Sequence, residues 1–309
     1  MVPQYAFSLF HYPRAMNIAL TGASGFIGSA IARQASKCGH AVTALVRKSS
    51  ERSHIEKHVK NFVTGTHDAP NAVKTLIEEA DVVIHNSFDW DALKSGDLER
   101  HLRSNLQGSI DLLEASENRH FIYISSIAVH HHMHERWRGD IDESHPTRPG
   151  STYGACKAAV EAHLWSAYAS RSQPITAIRP CGVYGMDPKM ERSIGFPVVQ
   201  SLQEGKPYAR KGGGKFIHVD DVAAATVACI DNPAAVPRVY NLVDCYARWS
   251  DWASFAAEAL GCDVEIDTSS PETPSNTFDT TYVADELGVP LNRGMGGIRK
   301  AVEELIDAM

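Results

Sequence analysis

Tyr153 and Lys157 stand four residues apart in a stretch of helical pattern, so both side chains leave one face of the same helix. A tyrosine, with a pKa of about 10, is a poor base at neutral pH. A neighbouring ammonium favours the phenolate and brings it toward the working range. Of the chain's 10 tyrosines, only Tyr153 has a lysine four residues on. Ser126, at the end of the apolar run Phe121–Ser125, adds a hydroxyl at a strand end. Together the three residues can exchange a proton with a bound oxygen.

A second group points to an anionic cofactor. Thr21-Gly22-Ala23-Ser24-Gly25-Phe26-Ile27-Gly28 joins a strand to a helix. Glycines there let the backbone turn tightly and approach a pyrophosphate, whose charge sits on the helix N-terminus. The end of the second strand then decides the cofactor type. NAD enzymes place an acid there for the ribose hydroxyls, whereas NADP enzymes place an arginine for the extra phosphate. The chain reads Val46-Arg47-Lys48-Ser49, with no acid before Glu51. Arg47, helped by Lys48, is therefore expected at a 2′-phosphate, which makes NADP the preferred cofactor and NAD possible.

The elements that must position these residues alternate. Asn17–Leu20, His40–Val46, Asp81–His85, Phe121–Ser125, Ile175–Arg179 and Val239–Val243 read as strands. Helices are expected at about Phe26–Cys38, Leu98–Ser116 and Ser151–Ala169, the second with an apolar stripe of Leu102, Leu106, Ile110 and Leu113. Such alternation implies a doubly wound parallel α/β sheet. After Pro180 the rhythm breaks into a Gly-, Pro- and Lys/Arg-rich stretch with one helix around Pro197–Gln203. Phe216–Ile230 returns to strand and helix, and further helices are expected at Trp252–Leu260 and from Ile298. The expected division is a dinucleotide-binding domain of 16–180 plus 216–246. A smaller, discontinuous C-terminal substrate lobe comprises 181–215 plus 247–309, and 1–15 form an N-terminal extension. No internal repeat is found.

Composition narrows the function. The 309 residues carry 30 Lys+Arg and 37 Asp+Glu, a net charge of −7, which argues against a nucleic-acid partner. No apolar run is long enough to span a bilayer, and residues 1–15 lack the apolar segment of a signal peptide. Cys38, Cys156, Cys181, Cys229, Cys245 and Cys262 form no CxxC pair. Buried free thiols in a reducing, cytoplasmic setting are expected rather than disulfides or a metal site. His130, His131, His132 and His134 cluster after Ser126 without the flanking spacing of a metal site, so they are read as a loop.

The glycine spacing, Gly-x-x-Gly-x-x-Gly, resembles the extended short-chain dehydrogenase/reductase superfamily. Further motifs follow in the same order: Asp81-Val-Val-Ile-His85, Asn105-Leu-Gln-Gly108, Tyr123-Ile-Ser-Ser126, Tyr153-x-x-x-Lys157, Arg179-Pro180-Cys-Gly-Val183-Tyr184-Gly185 and His218-Val-Asp-Asp221. The resemblance implies hydride transfer at a nicotinamide. Tyr153 exchanges the proton of the substrate oxygen, Ser126 (rather than Ser125) holds that oxygen, and Lys157 lowers the tyrosine pKa and binds the nicotinamide ribose. It also implies cofactor contacts at Gly22, Ser24, Gly25, Phe26, Ile27, Gly28, Asn86, Ser87 and Asn105, and at Pro180 and Val183 through their backbones. A small-molecule substrate and a homodimer are implied as well, pairing helices around Leu102–Leu113 and Ala155–Leu164.

Two departures from the family pattern bear on substrate and cofactor. Gly65 is followed by Thr66 and His67 where the family often has Gly-Asp-Leu, although Asp68 lies near. Before His218, nucleotide-sugar enzymes usually carry Arg-Asp; this chain has Gly212-Gly213-Gly214-Lys215-Phe216, which resembles the dihydroflavonol-reductase-like branch. The first reading is an NADP-preferring oxidoreductase acting on a carbonyl or secondary alcohol of a small organic substrate. The alternative is a nucleotide-sugar epimerase or dehydratase with tightly bound NAD. A non-catalytic NADP-binding regulator is opposed by the intact Ser126, Tyr153 and Lys157.

Overall fold

Short β-branched runs that are buried on both faces can only be interior strands, and the computed structural model, which describes residues 14–130 and 139–309, arranges them as one parallel sheet. The strands are β1 (Asn17–Thr21), β2 (Ala41–Val46), β3 (Asn61–Thr64), β4 (Val82–His85) and β5 (His120–Ile124). A short β6 (Asp140–Ile141) follows outside the sheet, then β7 (Ile175–Pro180) within it. With β8 (Gly182–Tyr184), β9 (Gly213–His218) and β10 (Arg238–Leu242) added in chain order, the main sheet runs β10-β7-β5-β4-β1-β2-β3. The order reverses between β1 and β4, and that crevice is where an open α/β sheet binds its ligand.

Helices cover both faces. They are α1 (Phe26–Lys37), α2 (Pro70–Ile77), α3 (Trp90–Lys94), α4 (Leu98–His101), α5 (Gly108–Ala115), α6 (Thr152–Arg171), α7 (Phe196–Gln203) and α8 (Val219–Ala228). One core holds β1, β2 and β4 against α1 and α8, through residues such as Ile18, Leu20, Ile31, Val222 and Ala225. The other holds α5 and α6 on the opposite face, through Leu112, Leu113, Phe121, Val160 and Leu164. The single helix expected over Leu98–Ser116 is interrupted by a π-helical turn, Leu102–Gln107, whose wider hydrogen bonding accommodates an extra residue.

The smaller lobe has its own sheet, β11-β9-β8, where β11 is Cys245–Arg248. Of the two strands in 216–246, expected in the dinucleotide-binding domain, β10 joins the main sheet, whereas β9 pairs with β8 and β11, and α8 directly after it packs on α1. Periodicity identifies a strand but not its partner. Helix α9 (Trp249–Leu260), β12 (Thr277–Phe278), α10 (Thr281–Leu287) and α11 (Gly294–Ala308) complete the chain. Trp252, Phe216, Tyr184, Val199 and Val302 form the lobe's core.

Helix α11 starts at Gly294, before the expected Ile298, and its Gly297 lies against Tyr184: a Cβ there would stand 2.3 Å from the Tyr184 hydroxyl. The six cysteines are free, but only Cys156 and Cys229 are buried, and Cys38 is exposed, contrary to the expectation of buried thiols throughout. No described helix is long and apolar enough to cross a membrane.

Candidate active site

The glycine turn is built for close approach. Gly22 has φ +68°, a conformation that costs a residue with a Cβ, and its carbonyl accepts from Gly25 N at 3.1 Å. A Cβ on Gly28 would stand 2.0 Å from that carbonyl, so only glycine lets α1 pack this tightly on the turn. Ser24, Gly25, Phe26 and Ile27 form the turn and the first helical turn. Gly25 gives α1 no side-chain cap, and no acid stands in its first turn. The free N–H groups and the dipole fit a pyrophosphate.

The β4 end is tied to this turn by a buried chain of hydrogen bonds. Ser109 Oγ donates to Asn105 O at 2.5 Å and so accepts from His85 Nε2 at 2.8 Å. That leaves His85 Nδ1 to accept from Thr21 Oγ1, also at 2.8 Å. Thr21 Oγ1 in turn accepts from the backbone N–H of Asn86 and of Ser87, each at 3.1 Å, and Asn86 Nδ2 donates to Gly22 O at 3.3 Å. Burial holds the His85 imidazole far below its ordinary pKa, so it stays neutral. Asn105, expected at the cofactor, binds both backbone groups of Asp89 with its amide, accepting from Asp89 N at 2.6 Å and donating to Asp89 O at 3.0 Å. His67 is buried against His85, with Nε2 donating to Ser104 O at 2.9 Å.

Arg47 and Lys48 are exposed at the end of β2, where Arg47 N donates to Ser50 Oγ in a tight turn. With Arg52, Ser50, Ser53 and Glu51 they line an open cavity of about 410 Å³. Arg52 is fixed over the Phe62 ring, 5.0 Å from its centroid.

The reactive centre lies across β5, α6 and β7. Ser151 caps α6, its hydroxyl accepting from Gly154 N at 3.1 Å, which fixes the helix start two residues before Tyr153. The Ser126 side chain hydrogen-bonds the Tyr153 phenol and lies 3.5 Å from Pro180 O, so three of the expected residues meet. Val183 follows on β8. Ser125 Oγ is committed to Glu161, 2.5 Å away, whereas Ser126 Oγ accepts from Ala128 N at 3.1 Å and faces the Tyr153 phenol.

Lys157 departs from expectation. Its Nζ donates to Ile124 O at 2.7 Å and lies 4.6 Å from the Tyr123 ring centroid, 5.1 Å from that of Phe88 and 5.8 Å from that of Tyr153. It sits beneath the phenol ring rather than beside its hydroxyl. Burial therefore raises the Tyr153 pKa, partly offset by the Ser126 hydrogen bond, and the expected lowering by the ammonium is absent. The lysine itself is desolvated and pushed down to about 8. Over the pair, Trp90 stacks on Tyr153 at 5.1 Å and Phe88 meets its edge at the same distance, an aromatic cover that no sequence motif announced.

The model of the NAD dependent epimerase/dehydratase family matches residues 18–242. The chain belongs to this family. The matched span contains the glycine turn, the reactive centre and all of the main sheet, as the motif resemblance implied. Among relatives of this epimerase/dehydratase chain, a low-salt glycan biosynthesis protein of Haloferax volcanii is 25% identical over 242 residues, 74% of this chain and 76% of that protein. A ketoreductase of Aspergillus fumigatus is 24% identical over 332 aligned positions, 93% and 97% of the two chains. The fold is that of the UDP-glucose 4-epimerase of Thermus thermophilus solved with NAD, with a TM-score of 0.78 at 23% identity, covering 95% and 100% of the chains.

His130 is buried. Its Nδ1 donates to Pro146 O at 3.2 Å and its Nε2 accepts from Arg179, which makes it part of the scaffold; His131, His132 and His134 lie outside the described residues. Among the described residues, no group of three or more His, Cys, Asp or Glu could hold a metal ion.

Proposed function

We propose that this family member is an NADP-preferring oxidoreductase that reduces a carbonyl, or oxidises a secondary alcohol, of a small organic substrate. The observation that carries the chemistry is the meeting of Ser126, Tyr153 and Lys157 at the ends of β5 and β7. A nicotinamide cofactor, when bound, supplies the hydride. The glycine turn would hold its pyrophosphate, and Asn86, Ser87, Pro180 and Val183 line its path by the family resemblance. Lys157 uses one of its three N–H donors on Ile124 O and has others for a ribose hydroxyl. Ser126 orients the substrate oxygen, and Tyr153, held protonated by burial, gives that oxygen its proton.

Two features support a reductase over a nucleotide-sugar enzyme. The basic cavity at Arg47, Lys48 and Arg52 suits a 2′-phosphate. Several arginines of the substrate lobe are already paired: Arg248 with Asp251, Arg293 with Asp221 and Arg299 with Glu258. They offer less to a sugar diphosphate. The relative described as a ketoreductase, matched over nearly its whole length, also supports this reading.

The second reading, a nucleotide-sugar epimerase or dehydratase with retained NAD, is favoured by the comparisons taken together, since both the family description and the Thermus neighbour lie on that side. Stoichiometry separates the two. Net oxidation of NADPH, one per carbonyl consumed, is expected; turnover of a UDP-sugar without net cofactor change would replace the reductase reading with the second one.

The cofactor has its own test. Arg47→Ala should weaken NADPH binding roughly ten- to a hundredfold, about 1.5–3 kcal/mol, and leave NADH nearly unaffected. Titrating both cofactors reads this directly, and equal weakening of the two would return Arg47 to a solvated surface charge.

A further inference from the structure

Glu161 lies one helical turn beyond Lys157 on α6 and takes no part in the proton transfer above. It and Arg179 are each about 3% exposed. The guanidinium holds the carboxylate in a fork, with Nε at 3.0 and 3.2 Å from the two oxygens and Nη2 at 2.6 Å from Oε2. Ser125 Oγ donates to Oε1 at 2.5 Å. The remaining edge of Arg179 donates from Nη1 to His130 Nε2 at 2.9 Å. Each member is tied by the chain to a residue of the reactive centre: Ser125 precedes Ser126, Arg179 precedes Pro180, and Glu161 stands four residues after Lys157.

The surroundings of Lys157 show what this carboxylate adds. Tyr123 and Ile124 O come from β5, Phe88 from the segment after β4, and Tyr153, Cys156 and Glu161 from α6 itself. His67 and His85 lie within electrostatic reach. Burial keeps both imidazoles, both phenols and the Cys156 thiol in their neutral forms near pH 7. Glu161 is thus the negative charge that acts on the ammonium, and Arg179 holds it in place.

We propose that Glu161, fixed by Ser125 and Arg179, is the positioning residue of this site: it locks the ends of β5 and β7 to α6 and supplies the buried counter-charge for Lys157. The role concerns the same Ser126–Tyr153–Lys157 centre and therefore rests on the reading that this centre transfers a proton. Its electrostatic half can be measured without turnover.

The measurement is urea-unfolding stability between pH 6 and 10.5. Lys157 is held near 8 in the folded chain and returns to its ordinary value, about 10.5, on unfolding. Between those values the unfolded state binds the extra proton, so Lys157 contributes a gain in stability as pH rises, set against the loss from buried thiols and phenols whose pKa burial raises. The difference between the wild-type and Lys157→Met profiles reads that contribution alone, and its onset is what the Glu161 variants are compared on. In Glu161→Gln the gain should begin at lower pH, by on the order of one unit, because the ammonium loses its counter-charge. Glu161→Gln leaves Arg179 buried and unpaired and can fail to fold. The double variant Glu161→Met with Arg179→Met replaces the pair by apolar side chains, a change that folded proteins commonly tolerate, and should move the onset the same way.

An onset unmoved in both Glu161 variants, or a Lys157→Met profile parallel to that of wild type, overturns the proposal. A second readout is the alkaline limb of kcat/KM, which should move by the same interval. If the wild type turns over neither NADPH nor a UDP-sugar, the functional reading fails while the stability profiles still decide the role of Glu161.

Discussion

Burial keeps the Tyr153 phenol protonated, the form a carbonyl reduction needs, while making it a weaker acid than a solvated tyrosine. The phenol keeps its proton at neutral pH, Ser126 fixes its direction, and the Lys157 ammonium lies under the ring. Tyr153→Phe removes the hydroxyl and preserves the ring packed between Phe88 and Trp90. Turnover should fall by about 10² to 10⁴ while the unfolding midpoint and cofactor affinity stay near wild type. Steady-state rates beside a urea titration check this, and wild-type turnover in the Phe variant would remove Tyr153 from the chemistry. Tyr153, Lys157 and Ser126 were readable from spacing because a helix fixes what lies four residues apart. Glu161 was not, since its partners Ser125 and Arg179 come from two other strands and only the folded sheet brings them together. For the same reason the sequence suggested a lysine lowering a tyrosine, where the structure puts the ammonium below the ring.

Between residue and fold, the segment from Asn86 to Lys94 covers Tyr153. It leaves β4, carries Phe88 and Trp90 over Tyr153, and enters α3 through Asp89, whose carboxylate caps Asp91 N and Ala92 N. Asn105 holds it from the π-helical turn by two hydrogen bonds to the backbone of Asp89. Sequence periodicity continued smoothly across that turn, so it predicted one helix. A single residue of extra length leaves the apolar stripe almost unchanged yet re-aims the side chain. Asn105→Ala should cost about 1–3 kcal/mol of stability, the penalty of leaving Asp89 N and O without their buried partner. It should also loosen the aromatic cover, seen as a change in the fluorescence of Trp90 measured against a Trp90→Phe background. Unchanged stability would mean that water replaces the amide and that the segment does not depend on this clamp.

At the scale of the whole chain, the strand order, the two-sided helical cover and the glycine cradle follow from patterns local enough to read in sequence, whereas the lobe's sheet and the neutral histidines follow from burial that only packing creates. Those histidines set the response to acid. Burial lowers the pKa of His40, His58, His67, His85 and His218, and takes His120 and His130 down to about 4. On unfolding each returns to about 6.5. Below that value the unfolded state binds more protons than the folded one, so stability is lost as pH falls from about 6.5 toward 4, by about 1.4 kcal/mol per pH unit for each histidine fully within its window. Glu143 and Asp244, whose carboxyls are raised by burial, act in the opposite direction, but they are two groups against seven. The urea midpoint should therefore drop steeply between pH 6.5 and 5. His120→Gln isolates one contribution. Its amide can keep a donor near Thr176 Oγ1, which His120 Nε2 now approaches at 2.8 Å and which itself donates to Ala235 O, while removing the titrating ring. That variant should lose less stability than wild type over the same interval. If wild type is equally stable at pH 7.5 and 5, or if the Gln variant follows the wild-type slope, the buried imidazoles are not what limits this fold in acid.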